Sequence, residues 1–149
     1  MTRLNLPPFE IKLSGTAERP GIFDILRRRY VALTPEEWVR QHFVHYLIAH
    51  KGYPSALMGN EISMRVGAKT LRADTILYDT SLRPRMIVEY KAPEVTVDEG
   101  VFAQISAYNT LLHTDYLVVT NGIVHYCCRV DYAAGRLVFL PEIPRYEDL

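Results

Sequence analysis

The sequence predicts a mixed α/β layer, with helices packed on a central sheet, and three observations carry that prediction. A well-capped amphipathic helix comes first, three strand-like segments follow it, and a second amphipathic helix precedes two or three further strands. A chain of 149 residues suits a single domain that buries a real core. Its 48% apolar and 23% charged content is that of an ordinary globular protein.

The N-terminal 33 residues are expected to form an arm and a short helix. Phe9 to Leu13 alternates apolar and charged residues as a half-exposed strand does, and Ser14-Gly15-Thr16 and Arg19-Pro20-Gly21 break it. Ile22 to Tyr30 is expected to supply a helical turn or two. Thr34-Pro35-Glu36-Glu37 then opens the first long helix: threonine caps, proline suits the first turn, and two acids complement the positive end of the helix dipole. That helix should run to about Ala49 and stop near Lys51-Gly52, burying Val39, Phe43, Tyr46 and Leu47 on one face.

Strands are predicted over Glu61 to Val66, Leu71 to Tyr78 and Met86 to Ala92, the last two joined by turn residues from Asp79 to Pro84. Val97 to His113 reads as the second helix, with Val101, Ile105, Tyr108 and Leu112 on one stripe. Tyr116 to Thr120 stops at Asn121-Gly122, Ile123 to Val130 returns, and Arg136 to Leu140 forms the edge.

Several function classes are disfavoured at once. No run of eighteen apolar residues suggests a membrane span, and residues 1 to 10 lack a signal-peptide pattern, so the cytoplasm is the expected location. Cys127 and Cys128 are adjacent in a predicted strand and point to opposite faces; neither a disulfide between them nor a zinc-ligand spacing is expected. His42, His45 and His50 lack a metal-binding helical spacing. Basic and acidic residues balance at 17 each, which gives no global attraction to nucleic acid.

Chemistry concentrates in one place. Glu89 and Lys91 are two apart in a strand and leave the same face, while Val88 and Tyr90 point the other way. A hairpin turning about Ser81-Leu82 sets Asp74 across from Glu89. Two carboxylates and an ammonium then converge, and acids side by side are unfavourable unless a cation balances them. Mg²⁺ suits such oxygen ligands and keeps waters in its shell. The bland alternative is an exposed salt-bridge cluster of little energetic weight. Against it stands the setting, an apolar strand, Met86-Ile87-Val88, joined by a short turn to an alternating one.

Arg72-Ala73-Asp74-Thr75-Ile76-Leu77-Tyr78-Asp79 followed by Ile87-Val88-Glu89-Tyr90-Lys91-Ala92-Pro93 resembles the N-terminal nuclease domain of type I restriction enzyme R subunits, particularly small stand-alone proteins of that family. Thr34 to Gln41, Gln104-Ile105-Ser106-Ala107-Tyr108 and Val118 to Gly122 agree with the same pattern, so the likeness spans residues 34 to 122. It implies a restriction-endonuclease-like mixed central sheet flanked by helices, a PD-(D/E)xK nuclease-like domain over residues 34–149. It also implies Asp74 and Glu89 as metal ligands, the Tyr90 carbonyl completing the protein's share of the shell, and Lys91 as the catalytic lysine. Gln104 and Tyr108 match a Q-x-x-x-Y element beside the site, one helical turn apart. The first helix is expected to add an acid, Glu36, with Glu37 as the alternative. Ala73 stands where the fold's usual motif has proline, which is not a ligand.

Nucleic-acid contacts are expected from Arg40, Lys69 and Arg72, which lie near the site in chain order; Arg72 shares a strand face with Asp74. The run Arg27-Arg28-Arg29 reads either as a solvated helix face or as a phosphate grip. The resemblance thus implies a Mg²⁺-dependent endodeoxyribonuclease, with Mn²⁺ able to substitute, acting on DNA as a homodimer or with a separate partner subunit and away from any membrane. No G-x-x-x-x-G-K-[ST] loop occurs, so cleavage would proceed without an ATP-driven motor in this sequence. The alternatives are a catalytically silent nuclease-fold module for nucleic-acid binding or assembly, and a plain structural domain.

Overall fold

A computed structural model describes the backbone of residues 1–149 and every side chain except those of Tyr108, Thr110 and Leu111. Two sheets organise it. Strands β1 (Leu13–Gly15), β2 (Pro20–Asp24) and β3 (Arg29–Ala32) form a small antiparallel meander. Strands β4 (Met58–Val66), β5 (Lys69–Tyr78), β6 (Pro84–Tyr90), β7 (Tyr116–Thr120), β8 (His125–Asp131) and β9 (Arg136–Leu140) form a six-stranded sheet in that spatial order. Helix α1 (Pro35–Lys51) covers one of its faces and α2 (Glu99–Leu112) the other. The mixed α/β layer is as expected.

Helix α1 begins and ends as its sequence dictates. The Thr34 side chain accepts the Glu37 N–H at 3.1 Å, and Gly52 stops the helix in a left-handed conformation at φ 74°. Val39, Phe43 and Leu47 are fully buried against Leu77, Met86, Val88 and Tyr90, and Val44 is fully buried as well. Each such side chain contributes about 2 kcal/mol of apolar burial. On the opposite face Ile105 meets Ile76, Ile87, Leu117, Val119 and Cys128. Strand β6, covered on both faces, is continuously apolar from Met86 to Val88, as a central strand must be. Cys127 and Cys128 are free and buried, and burial pushes their thiols up to about 12 and about 11.

The hairpin between β5 and β6 turns where expected. Asp79 Oδ1 accepts the N–H groups of Ser81 and Arg83, and Leu82 takes the left-handed position at φ 62°. The ladder pairs Thr75 with Val88 and Ile76 with Ile87. Strands β6 and β7 are parallel, with α2 as the crossover between them.

The N-terminal segment departs from expectation. Ile22 to Tyr30 contains no helix; it is the β2–β3 hairpin. Asp24 decides this. Its Oδ1 accepts the N–H groups of Leu26 and Arg27, its carbonyl accepts the Arg28 N–H, and Arg28 sits at φ 54°. A side chain that mimics a turn defeats the helix propensity of three consecutive arginines. Nor is the arm separate from the rest of the domain. Leu4 is buried in the core under α1, and the Asn5 N–H donates to the Gly122 carbonyl.

Asp24 is wholly buried and holds more than its own turn. Asn60 donates to both of its oxygens at 3.1 Å, and Arg27 Nε pairs with Oδ2. Burial pulls its pKa upward, but the hydrogen bonds of Arg27, Asn60 and Leu26 outweigh that and hold it below the ordinary 3.8. Asp24→Asn should therefore lower unfolding free energy by about 3 kcal/mol at neutral pH, read from the urea midpoint. A depressed folded-state pKa stabilises fully above the unfolded value and is lost as pH falls through the folded one. Variant and wild type should accordingly converge as pH falls below the ordinary carboxylate value of 3.8.

Candidate active site

The trio Asp74, Glu89 and Lys91 assembles where β5 and β6 part. The ladder stops at Thr75–Val88, and the next position in that register sets Asp74 opposite Glu89. In place of a further backbone bond, Asp74 Oδ2 accepts the Tyr90 N–H at 2.9 Å. The carboxylates of Asp74 and Glu89 lie within hydrogen-bonding reach of each other. Lys91 Nζ stands 3.3 Å from Glu89 Oε1. Both Glu89 and Lys91 are only partly exposed, and they lie on the α2 face with Ile87, while Tyr90 turns to the α1 face.

This geometry perturbs Glu89. Burial first, then the neighbouring Asp74 carboxylate, push its pKa up from 4.5 to about 7, against the opposing charge of Lys91.

A buried polar chain fixes the site from behind. The Tyr90 hydroxyl donates to Thr75 Oγ1 at 2.9 Å, Thr75 donates to Asn60 Oδ1 at 2.6 Å, and Asn60 donates to Asp24. Arg27 links Asp24 to Glu37 Oε1, and Gln41 donates to Glu37 Oε2. Arg40 closes the circuit: Nη1 donates to the Asp74 carbonyl at 2.9 Å, and Nη2 pairs with Glu61. Its Nε lies 3.0 Å from Glu37 Oε2, near enough for an ion pair but out of line for a hydrogen bond.

The other expected residues fall out unevenly. Glu36 is exposed, and Glu37 is the acid that turns inward. Side chains in a first helical turn lean off its N-terminal end, and Arg27 and Arg40 draw only Glu37 back. Arg40 is buried in the circuit and directs its guanidinium to Glu37, Glu61 and the Asp74 carbonyl, not outward to a phosphate. Arg72 pairs with Glu61 yet keeps a largely exposed side chain. Lys69 is exposed at the start of β5, five residues or about 17 Å along the strand from Asp74. Gln104 is exposed on α2, and among the described residues no hydrogen bond or ion pair joins it to the trio. The side chain of Tyr108 lies outside the described residues. Arg27 serves Asp24 and Glu37 instead of gripping phosphate, and Arg29 opposes Asp24 in the hairpin.

Glu61 is the residue the sequence reading missed. It takes a left-handed backbone at φ 55°, interrupts the β4–β5 ladder opposite Asp74, and pairs with both Arg40 and Arg72. Burial works to raise its pKa, but those two guanidinium groups outweigh it and hold the carboxyl below its usual range. A signal existed: a turn at Gly67-Ala68 sets a register that puts Glu61 across from Asp74.

The trio lies on an open face. A depression of about 660 Å³ under the N-terminal arm, bordered by Leu4, Trp38 and His42, contains none of it. Among the described residues no three His, Cys, Asp or Glu side chains are grouped to hold a metal, so the protein offers two carboxylates and not a closed cage.

The sheet order, its one parallel pair and the helix on each face define a restriction-endonuclease-like α/β domain. The solved structures include a similar fold in a fragment assigned as the HsdR subunit of a type I restriction enzyme from Vibrio vulnificus YJ016. It has a TM-score of 0.55 and 22% identity, and the match covers 78% of this chain and 24% of that one. This chain therefore spans about a quarter of that structure's length. No match was found among curated proteins. The family model for the type I restriction enzyme R protein N terminus (HSDR_N) matches residues 35–144, and the chain belongs to that family. No helix among the described residues is long and apolar enough to cross a membrane.

Removing the Glu89 charge should stabilise the metal-free protein. A raised folded-state pKa favours the fold below pH 4.5, and that contribution is lost as pH rises through about 7. Glu89→Gln should therefore gain about 2 kcal/mol over wild type at pH 8 and almost nothing at pH 4.5, measured by thermal melting at both.

Proposed function

We propose that this domain is a metal-dependent endonuclease that hydrolyses DNA phosphodiester bonds, of restriction or repair type. The observation that carries the reading is the convergence of Asp74, Glu89 and Lys91 at the parting of β5 and β6, in a chain of the R-protein family.

The donor set fits Mg²⁺, with Mn²⁺ as a substitute. Burial and then the neighbouring Asp74 carboxylate push the Glu89 pKa up, and a divalent cation between the two would remove their repulsion. Both are hard oxygen donors, and an ion that retains several waters needs few protein ligands. The Tyr90 carbonyl is the natural third. A bound ion supplies charge stabilisation at the phosphodiester oxygens and a more acidic water.

The remaining work belongs to side chains. Tyr90 orients Asp74 through its N–H, and Arg40 fixes the Asp74 peptide from the other side. Lys91 is near enough to Glu89 to hold an attacking water between ammonium and carboxylate and to offset charge on the phosphate. Arg72, exposed beside Glu61, is the best placed of the basic residues for a backbone phosphate. Gln104 and Tyr108 join the site in this reading from α2. DNA is the partner, engaged by a homodimer or together with a separate subunit.

A second reading keeps the fold without the chemistry, as a silent module for nucleic-acid binding or assembly. It draws on the zero net charge and on the enclosure of Arg40.

Supercoiled, linear and single-stranded DNA incubated with the protein and Mg²⁺ or Mn²⁺ separates the two. Cleavage should require the metal and fall at least about 100-fold in Asp74→Ala and Lys91→Ala. Metal-independent cutting, or equal cutting by Asp74→Ala, removes the nuclease reading. Titration calorimetry with Mn²⁺ should show binding by the wild type and none by Asp74→Ala.

A further inference from the structure

Three histidines hold the N-terminal arm to the domain. The Phe9 ring lies flat on His45, centroids 4.0 Å and planes 17° apart, and stands edge-on to His42 at 4.8 Å. Trp38 also packs on His42, at 4.5 Å, and its indole N–H donates to the Thr2 carbonyl at 2.8 Å. At the turn between β7 and β8, His125 Nε2–H donates to the Asn5 carbonyl at 3.0 Å, beside the bonds from Asn5 to Gly122 and Ile123. Between Thr2 and Asn5, Leu4 is buried with Val39 and against Gly122.

Each of these contacts suits a neutral imidazole. His42 places its Nδ1–H on the Trp38 carbonyl at 2.8 Å and is otherwise enclosed by rings. The flat Phe9 ring gives His45 no lone pair to bond. In His125 the Nε2–H faces Asn5, so Nδ1 accepts from the Thr120 hydroxyl at 2.7 Å. A proton on Nδ1 removes that acceptor, and Thr120 Oγ1 already takes the Gly122 N–H. Burial holds all three below the ordinary 6.5, against the pull of the Trp38 carbonyl on His42 and the Asn5 carbonyl on His125.

Charged neighbours do not reverse this. A charge on His42 further disfavours one on His45, and together with burial it outweighs Asp24 of β2, which favours that proton. Glu10 and Lys12 of the arm share a small cavity with His45, and Arg3 borders the larger depression beside His42. Around His125, the residues Asn5, Thr120 and Phe43 carry no charge.

We propose that residues 2–10 are a strap seated on neutral histidines, which lifts from α1 and from the β7–β8 turn when the medium turns mildly acidic. A proton binds more readily once the arm has left and the rings meet water. The histidines' contribution to docking is therefore fully present above 6.5 and is lost as pH falls below it. At neutral pH the strap covers Trp38 and seats Leu4; in acid it uncovers both. The switch stands or falls independently of whether the trio cuts DNA.

Hydrogen exchange of the full chain, corrected for its intrinsic pH dependence, tests it. Between about pH 7.5 and about pH 5, residues 2–10 should lose protection at least about tenfold while β5 and β6 keep theirs. His42→Asn with His45→Phe keeps a donor for the Trp38 carbonyl and a ring for Phe9 but removes both titrations. It should cut that loss at least about threefold. Titrated by NMR in the wild type, His42, His45 and His125 should each read below 6.5. Equal strap protection at the two pH values overturns the inference, as does a parallel loss in β5 and β6. So does a double variant as acid-sensitive as wild type. A value of 6.5 or more for His42 or His45, which a charged ring drawing on the Phe9 face would give, also overturns it.

Discussion

The carboxyl groups of Asp74 and Glu89 lie within hydrogen-bonding distance of each other, and the groups around them hold that unfavourable arrangement in place. A hairpin alone would relax by turning one carboxylate to solvent. Here the Tyr90 N–H claims one oxygen of Asp74, Arg40 claims its peptide carbonyl, and the buried path from Tyr90 through Thr75 and Asn60 to Asp24 stiffens the strands beneath. Lys91 balances part of the charge from the open side. Such pre-organisation holds the two carboxyls in a geometry that neither would keep alone.

The circuit behind the site has a chemical logic of its own. It contains three acids, Asp24, Glu37 and Glu61, and three arginines, Arg27, Arg40 and Arg72, in alternating contact. Asp24, Glu37 and Arg40 are buried, and removing one of them leaves a neighbour uncompensated, whereas Arg72 caps the circuit from solvent. That is why Arg40, plausible as a nucleic-acid contact in the sequence, is structural in the fold. The zero net charge of the chain reflects this internal pairing as much as its surface.

Much of this was legible beforehand, for identifiable reasons. Thr34-Pro35 and Gly52 are local signals, and local chemistry set the ends of α1. Asp79 and Leu82 set the hairpin, hence the register that joins Asp74 to Glu89. What escaped was long-range. Arg27 to Arg29 favour helix by propensity, and only a buried Asp24 with Asn60 as partner makes them a turn. Glu36 and Glu37 are equivalent to any periodicity argument; Arg27, ten residues earlier, distinguishes them. The choice between solvent and interior for Arg40 required knowing that Glu61 stands opposite Asp74.

The link between Asp24 and Asn60 spans 36 residues, and that between Arg40 and the Asp74 carbonyl spans 34. Contacts of such separation form only after a large loss of chain entropy, whereas the β5–β6 hairpin closes from neighbours. The trio's components therefore meet early, but their final geometry waits for the N-terminal meander and α1 to dock. Folding order thus acts as a safeguard. A partly folded chain holds its two carboxylates loosely, and their fixed arrangement exists only once the whole domain has closed around it.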